Sequence, residues 1–93
     1  MTVGILTIWL EIPGSGSLKD KRRVLKSLLE MLKNRFNISA AEIGENDIWR
    51  RAVIGMACVS NVQSRVNVIL NGVIRYVESD PRVAVLETQM EML

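Results

Sequence analysis

Ninety-three residues, 48% of them apolar and 24% charged, are one domain's worth of a globular chain and argue against disorder. There is no histidine and a single cysteine, Cys58, which excludes an internal disulfide and a cysteine zinc cluster and removes the commonest general base. The net charge, 12 − 10 = +2, is polarised: Ser17 to Arg35 holds seven cations against two acids, whereas from Ala52 onward three cations face four acids.

Residues 2–11 are β-branched and aromatic with no helical punctuation, and predict a strand. Leu6, Ile8 and Leu10 fall on one face; Ile5, Thr7, Trp9 and Glu11 fall on the other. Pro13-Gly14-Ser15-Gly16 ends the strand. Ser17, with Asp20 three residues on, predicts the N-cap of a helix running to about Arg35. Leu18, Leu25, Leu28, Leu29, Leu32 and Phe36 make its apolar stripe. Lys19, Arg22, Lys26 and Lys33 line one flank of that stripe, with Arg23 close by and Lys21 in the first turn. Ile38 to Ile43 predicts a second strand, residues 44–47 a turn, and Arg50 to Ser60 a central third strand. Within that third strand, Ile54, Met56 and Cys58 oppose Val53, Gly55, Ala57 and Val59. Ser60-Asn61 predicts a second N-cap, followed by an amphipathic stripe of Val62, Val66, Ile69, Leu70, Val73 and Val77. Ser79-Asp80-Pro81 stops that helix, and Val83 to about Met90 is the last strand.

The order β-α-β-β-α-β, with right-handed crossovers, implies an α+β ferredoxin-like sandwich spanning residues 1–93 as a single domain. Its four-stranded antiparallel sheet carries both helices on one face. Leu6, Ile8, Leu10, Ile54, Met56, Leu86 and Met90 are expected beneath the helices. Ile5, Trp9, Val53, Ala57, Val59, Val83 and Val85, with Thr7 and Gly55, are expected on the open face. A surface so apolar predicts association, most simply a homodimer about a two-fold axis. A slip of one residue in any strand would invert its part of that assignment.

Four sites are candidates. Gly14-Ser15-Gly16-Ser17 before a basic helix suits a phosphate, but it has no Walker or dinucleotide spacing and reads better as a flexible loop before a capped helix. The cations Lys19, Lys21, Arg22, Arg23, Lys26 and Lys33 suit a nucleic-acid backbone, against the alternative of a solvated helix face. A base-stacking sheet of the RNA-recognition kind needs aromatics on both central strands; Trp9 has no partner among Val53, Gly55, Ala57 and Val59, so that reading is rejected. Glu42, Asp47, Trp49, Arg50 and Arg51 around the second turn suit a contact site, although Trp49 capping one end of the core is the preferred reading there.

Ser17-Leu18-Lys19-Asp20-Lys21-Arg22, Arg35-Phe36-Asn37-Ile38-Ser39 with Glu42, then Asp47, Trp49, Arg50-Arg51-Ala52 and Val59-Ser60-Asn61 together resemble the YlxP-like family of bacterial proteins. The resemblance spans nearly the whole chain. It implies a ferredoxin-like domain of unknown function, encoded beside translation-initiation and ribosome-maturation genes. A role on RNA or the ribosome follows as an expectation.

The reading that unites these features is a non-enzymatic binding module. Its basic helix would meet rRNA or a ribosomal subunit and its open sheet face a second copy. An alternative is a small-ligand-binding regulatory domain of the ACT-like kind, acting as a dimer, with its ligand at the Pro13-Gly14 loop. An acylphosphatase-like enzyme is a third reading, and the glycine-rich loop with a catalytic arginine that it needs is not recognisable in Ile12 to Ser17. No cofactor or metal is implied. No apolar run approaches the ~20 residues that span a bilayer, and the N-terminus lacks a basic leader; a cytoplasmic location and no membrane partner are therefore expected.

Overall fold

A computed structural model describes residues 1–93. The elements run β1 (Thr2–Glu11), α1 (Leu18–Arg35), β2 (Ser39–Gly44), β3 (Arg51–Ser60), α2 (Gln63–Glu78) and β4 (Ala84–Met92). The sheet is antiparallel throughout, in the order β2-β3-β1-β4, which is the expected ferredoxin-like arrangement with β1 and β3 central. The β1–β3 ladder sets Leu6 against Met56, Ile8 against Ile54 and Leu10 against Ala52, all buried beneath the helices. From the helices, Leu25, Leu28 and Leu32 of α1 and Val66, Leu70, Val73 and Val77 of α2 complete the core. The close approach of α2 to β1 depends on Gly4: a Cβ there would run into Val66 and come within 2.8 Å of Leu70 Cδ1.

α1 begins as its sequence predicts. Ser17 Oγ accepts from the Asp20 backbone N–H at 3.1 Å, and the Asp20 carboxylate accepts from the Gly16 N–H at 3.1 Å, so side chains at both ends of the cap satisfy free N–H groups. α2 begins differently. Its N-cap is Val62, which makes no side-chain capping bond. Ser60 remains the last residue of β3, and its hydroxyl accepts from the Val62 N–H at 3.2 Å. The serine therefore shapes the bend before the helix rather than capping it, and Val62 stays outside the core, 46% exposed.

β4 also departs from simple alternation. Its pairing with β1 shifts between Trp9 and Leu10: Glu87 faces Trp9, while Leu10 faces Val85. Leu86 is the extra residue of the bulge and is half-exposed rather than beneath the helices. The shift turns Val83 and Val85 toward the core, where Val83 is buried, so neither valine belongs to the open face. In their place that side of β4 presents Glu87, Gln89 and Glu91, opposite Trp9, Thr7 and Ile5.

Candidate nucleic-acid interface

α1 packs over the β2 side of the sheet and runs antiparallel to α2. The flank of α1 toward α2 is marked by Ser27, whose hydroxyl accepts from Arg82 Nη1 at 3.1 Å, and by Phe36, which meets Tyr76 edge-on at 6.0 Å. At about 100° per residue, Arg22, Lys33, Lys26 and Lys19 lie on the opposite flank, with Arg23 on the outer face. All five are exposed and none is in an ion pair. From Lys19 to Lys33 the flank is ~21 Å long at ~1.5 Å per residue, the axial length of about six stacked nucleotides. Arg65 and Arg75 of α2 add exposed cations to the same helical layer. Arg35 lies over the Tyr76 ring at 5.0 Å. The second half of the sequence conceals this concentration, because its acids Glu87 and Glu91 cancel the count while standing on the other side of the sheet.

Lys21 does not belong to that surface. Its side chain is 1% exposed, and Nζ donates to the carbonyls of Glu45 (2.8 Å), Arg51 (3.1 Å) and Asn46 (3.2 Å). It points between Leu25 and Leu28 on the helical wheel, so its four-carbon stem crosses the apolar layer before the ammonium reaches the β2–β3 turn. Glu42 Oε2 lies 3.1 Å from the same nitrogen yet is a buried oxygen without a hydrogen bond. The ammonium thus has three carbonyls and a carboxylate within 3.2 Å, and Lys21 and Glu42 form an ion pair. The fourfold environment of an ammonium (three carbonyls and a carboxylate) cannot also contact a phosphate, and Lys21 is a structural cation.

The turn held by Lys21 is tethered on both sides. Ile12 N–H donates to Arg50 O at 2.8 Å, Arg50 Nε donates to Ser15 O at 3.1 Å, and Ile48 N–H donates to Glu45 O at 3.1 Å. Glu45 adopts φ 56°, the left-handed region, where a residue other than glycine is held only by its surroundings. Trp49 on this turn is 54% exposed and Ile48 47% exposed. The tryptophan therefore does not cap the core, contrary to the preferred reading of the sequence.

The middle of the Gly14–Ser17 loop, Ser15 and Gly16, has its donors engaged. Ser15 N–H donates to Ile12 O, Ser15 Oγ donates to Ser17 O at 3.0 Å, and the Asp20 carboxylate occupies the Gly16 N–H. A carboxylate already stands where a phosphate would bind.

On the side away from the helices, Ile5, Trp9, Val53, Ala57 and Val59 share one face of β1 and β3, but Val53 is covered, only 8% exposed, and adds little to the surface expected there. Ile43 of β2 joins them, lying over Gly55, where a Cβ would meet Ile43 Cδ1 at 3.0 Å. The apolar area thus occupies the β2-β3-β1 half, and the acidic β4 borders it. Cys58 faces the core, where burial pushes its thiol pKa up; a protonated, enclosed thiol is a poor nucleophile.

Residues 3–90 match the model of a family described as a protein of unknown function (DUF503). The chain is also 39% identical over 77 residues to the uncharacterized protein YlxP of Bacillus subtilis (strain 168), covering 83% of this chain and 84% of that protein. With the ferredoxin-like sandwich, these matches make the chain a member of the YlxP-like DUF503 family.

Proposed function

We propose that this protein is a non-enzymatic binding module that docks on RNA, most simply rRNA of a ribosomal subunit, through the exposed flank of α1. The observation that carries the reading is the set Lys19, Arg22, Arg23, Lys26 and Lys33: five surface cations on one helix, none of them in an ion pair. Solvated helices gain from acids at i±3 and i±4 of their cations; here Glu30, the only exposed acid of α1, stands four residues from Lys26 and three from Lys33 without an ion pair to either, and it is one acid against five cations. Four phosphate contacts on a single strand would give a salt slope of about −2.8, or a loss of about 50-fold in affinity from 50 to 200 mM salt. The test is co-sedimentation with ribosomal subunits and total RNA at both salts, beside the Lys19→Glu, Arg22→Glu, Lys26→Glu triple variant. Salt-sensitive binding that the variant loses supports the reading. Equal binding by the folded variant refutes it.

A second copy is the partner we assign to the open sheet face. Ile5, Trp9, Ala57 and Val59, with Ile43, supply an apolar centre, and Glu87, Gln89 and Glu91 supply a polar border on one side, the anatomy of an interface with a charged rim. Sedimentation across a concentration series tests it. Ala57→Glu should leave a folded monomer, and an unchanged association constant in that variant sinks the assignment. The ligand-sensor alternative gains no support from the Pro13-Gly14 loop, where the donors of Ser15 and Gly16 are engaged internally.

A further inference from the structure

We infer that Trp49 is a stacking site for an unpaired nucleobase, so that the nucleic acid bound along α1 is single-stranded where it passes the β2–β3 turn. The inference rests on the RNA-binding reading above and specifies its ligand.

Tryptophan has the largest apolar side chain, and burying it is strongly favourable. An exposed one on a loop is the kind of residue that anchors a partner. At Trp49 the exposure is not a consequence of a loose loop. The residues on either side are bound by an ammonium buried beneath the turn, through the carbonyls of Glu45, Asn46 and Arg51. Arg50 is fixed to Ser15 and Ile12. A ring on so constrained a stem loses little conformational freedom when it binds.

Its surroundings decide what the ring would meet. Lys21 lies beneath the turn, so its neighbours in the first turns of α1, the exposed Lys19 and Arg22, stand at the same end of the molecule. Arg50 and Arg51 follow Trp49 directly and are exposed as well; Arg50 Nε donates to Ser15 O, and Arg51 stands 4.0 Å from Glu45. Lys19, Arg22, Arg50 and Arg51 outnumber the acids of the turn, Glu45 and Asp47, and a bare indole among them suits a base flanked by its phosphates, the combination by which single-strand-binding proteins hold their ligand. A protein partner of the hydrophobic kind would need a wider apolar patch than Ile48 and Trp49 provide. Trp9, the other tryptophan, lacks this setting: it sits on the open face between Val53 and Glu87.

A 12-nucleotide single-stranded RNA, the same RNA in a perfect duplex, and purified ribosomal subunits are the probes. The emission of Trp49 is isolated as the difference between the protein and its Trp49→Phe variant. The single strand should quench that emission and the duplex should not. Trp49→Ala should weaken single-strand binding by at least about fivefold, as loss of one base stack at ~1–3 kcal/mol implies, while Trp49→Phe retains most of it. If the protein binds the single strand, the Lys19/Arg22/Lys26 variant does not, and Trp49→Ala binds as tightly as the parent, base stacking is refuted and the phosphate reading stands. A Trp49 requirement confined to intact subunits, with naked RNA indifferent, also refutes it, in favour of a ribosomal-protein contact. Absence of any binding by the parent overturns both.

Discussion

Replacing Lys21 by methionine keeps the unbranched stem in the core and removes the ammonium. Three carbonyls, of Glu45, Asn46 and Arg51, then lose their donor, and the Glu42 carboxylate loses its only counter-charge. Breaking a buried ion pair from one side costs about 3–5 kcal/mol because the remaining charge is left unpaired. Glu42 is 21% exposed and Asn46 and Arg51 are exposed residues, so water takes over part of what the ammonium gave, and the lower end of that range, about 3 kcal/mol, is the expected one. Against the ~5–15 kcal/mol total of an ordinary domain, the loss is a large fraction. Urea unfolding followed by far-ultraviolet dichroism measures it: the midpoint should fall sharply with the slope nearly unchanged. Adding Glu42→Gln to Lys21→Met should recover part of the loss, since it removes the orphaned charge. A loss under ~1 kcal/mol in Lys21→Met, or full additivity of the two substitutions, would show that the ammonium does not hold the turn.

Gly4→Ala should destabilise by about 1–3 kcal/mol through overpacking against Val66 and Leu70, read in the same unfolding assay. Glu45→Gly should be neutral to stabilising by up to ~1 kcal/mol, because glycine occupies the left-handed region without strain and the exposed Glu45–Arg51 contact at 4.0 Å contributes little. Asp80 accepts from Arg82 Nε at 3.0 Å and Nη2 at 2.7 Å; that hydrogen bond holds its carboxyl below the usual value of 3.8, against an opposing push from burial. A depressed carboxylate stabilises above its unfolded pKa, so its contribution should be intact near neutrality and fade as pH falls below about 4. Asp80→Asn should flatten that part of the acid-unfolding curve; an unchanged curve would remove Asp80 as its origin.

Residues 2–11, the Ser17 cap and the leucine stripe of α1 were legible in the sequence because each follows from neighbours within a turn or a pleat. β4 was misread at Val83, Val85 and Leu86 because a bulge is a property of two strands, set here by Leu10 and Trp9 on β1. Lys21 was grouped with the other cations of its helix because periodicity gives its angle but not the carbonyls 24 to 30 residues away that receive it. Its position between Leu25 and Leu28 on the wheel was the available signal: a cation on an apolar stripe. Trp49 failed for the same reason, since only the tethering of the turn decides whether a loop indole folds inward.

The bulge at Leu86 reconciles two phases of alternation that would otherwise conflict. Carried through without it, the register that buries Val85 would send Glu87, Gln89 and Glu91 beneath α2. The opposite register would expose both valines and turn Ala84 and Leu86 inward in their place. Deleting Leu86 would instead join the two phases into one unbroken alternation, with Val83, Val85, Thr88 and Met90 inward and Glu87, Gln89 and Glu91 outward, so the bulge is the means by which the strand absorbs that one residue. One supernumerary residue, half-exposed, is absorbed by the bulge so that the valines and the carboxylates of β4 each keep their own side of the sheet.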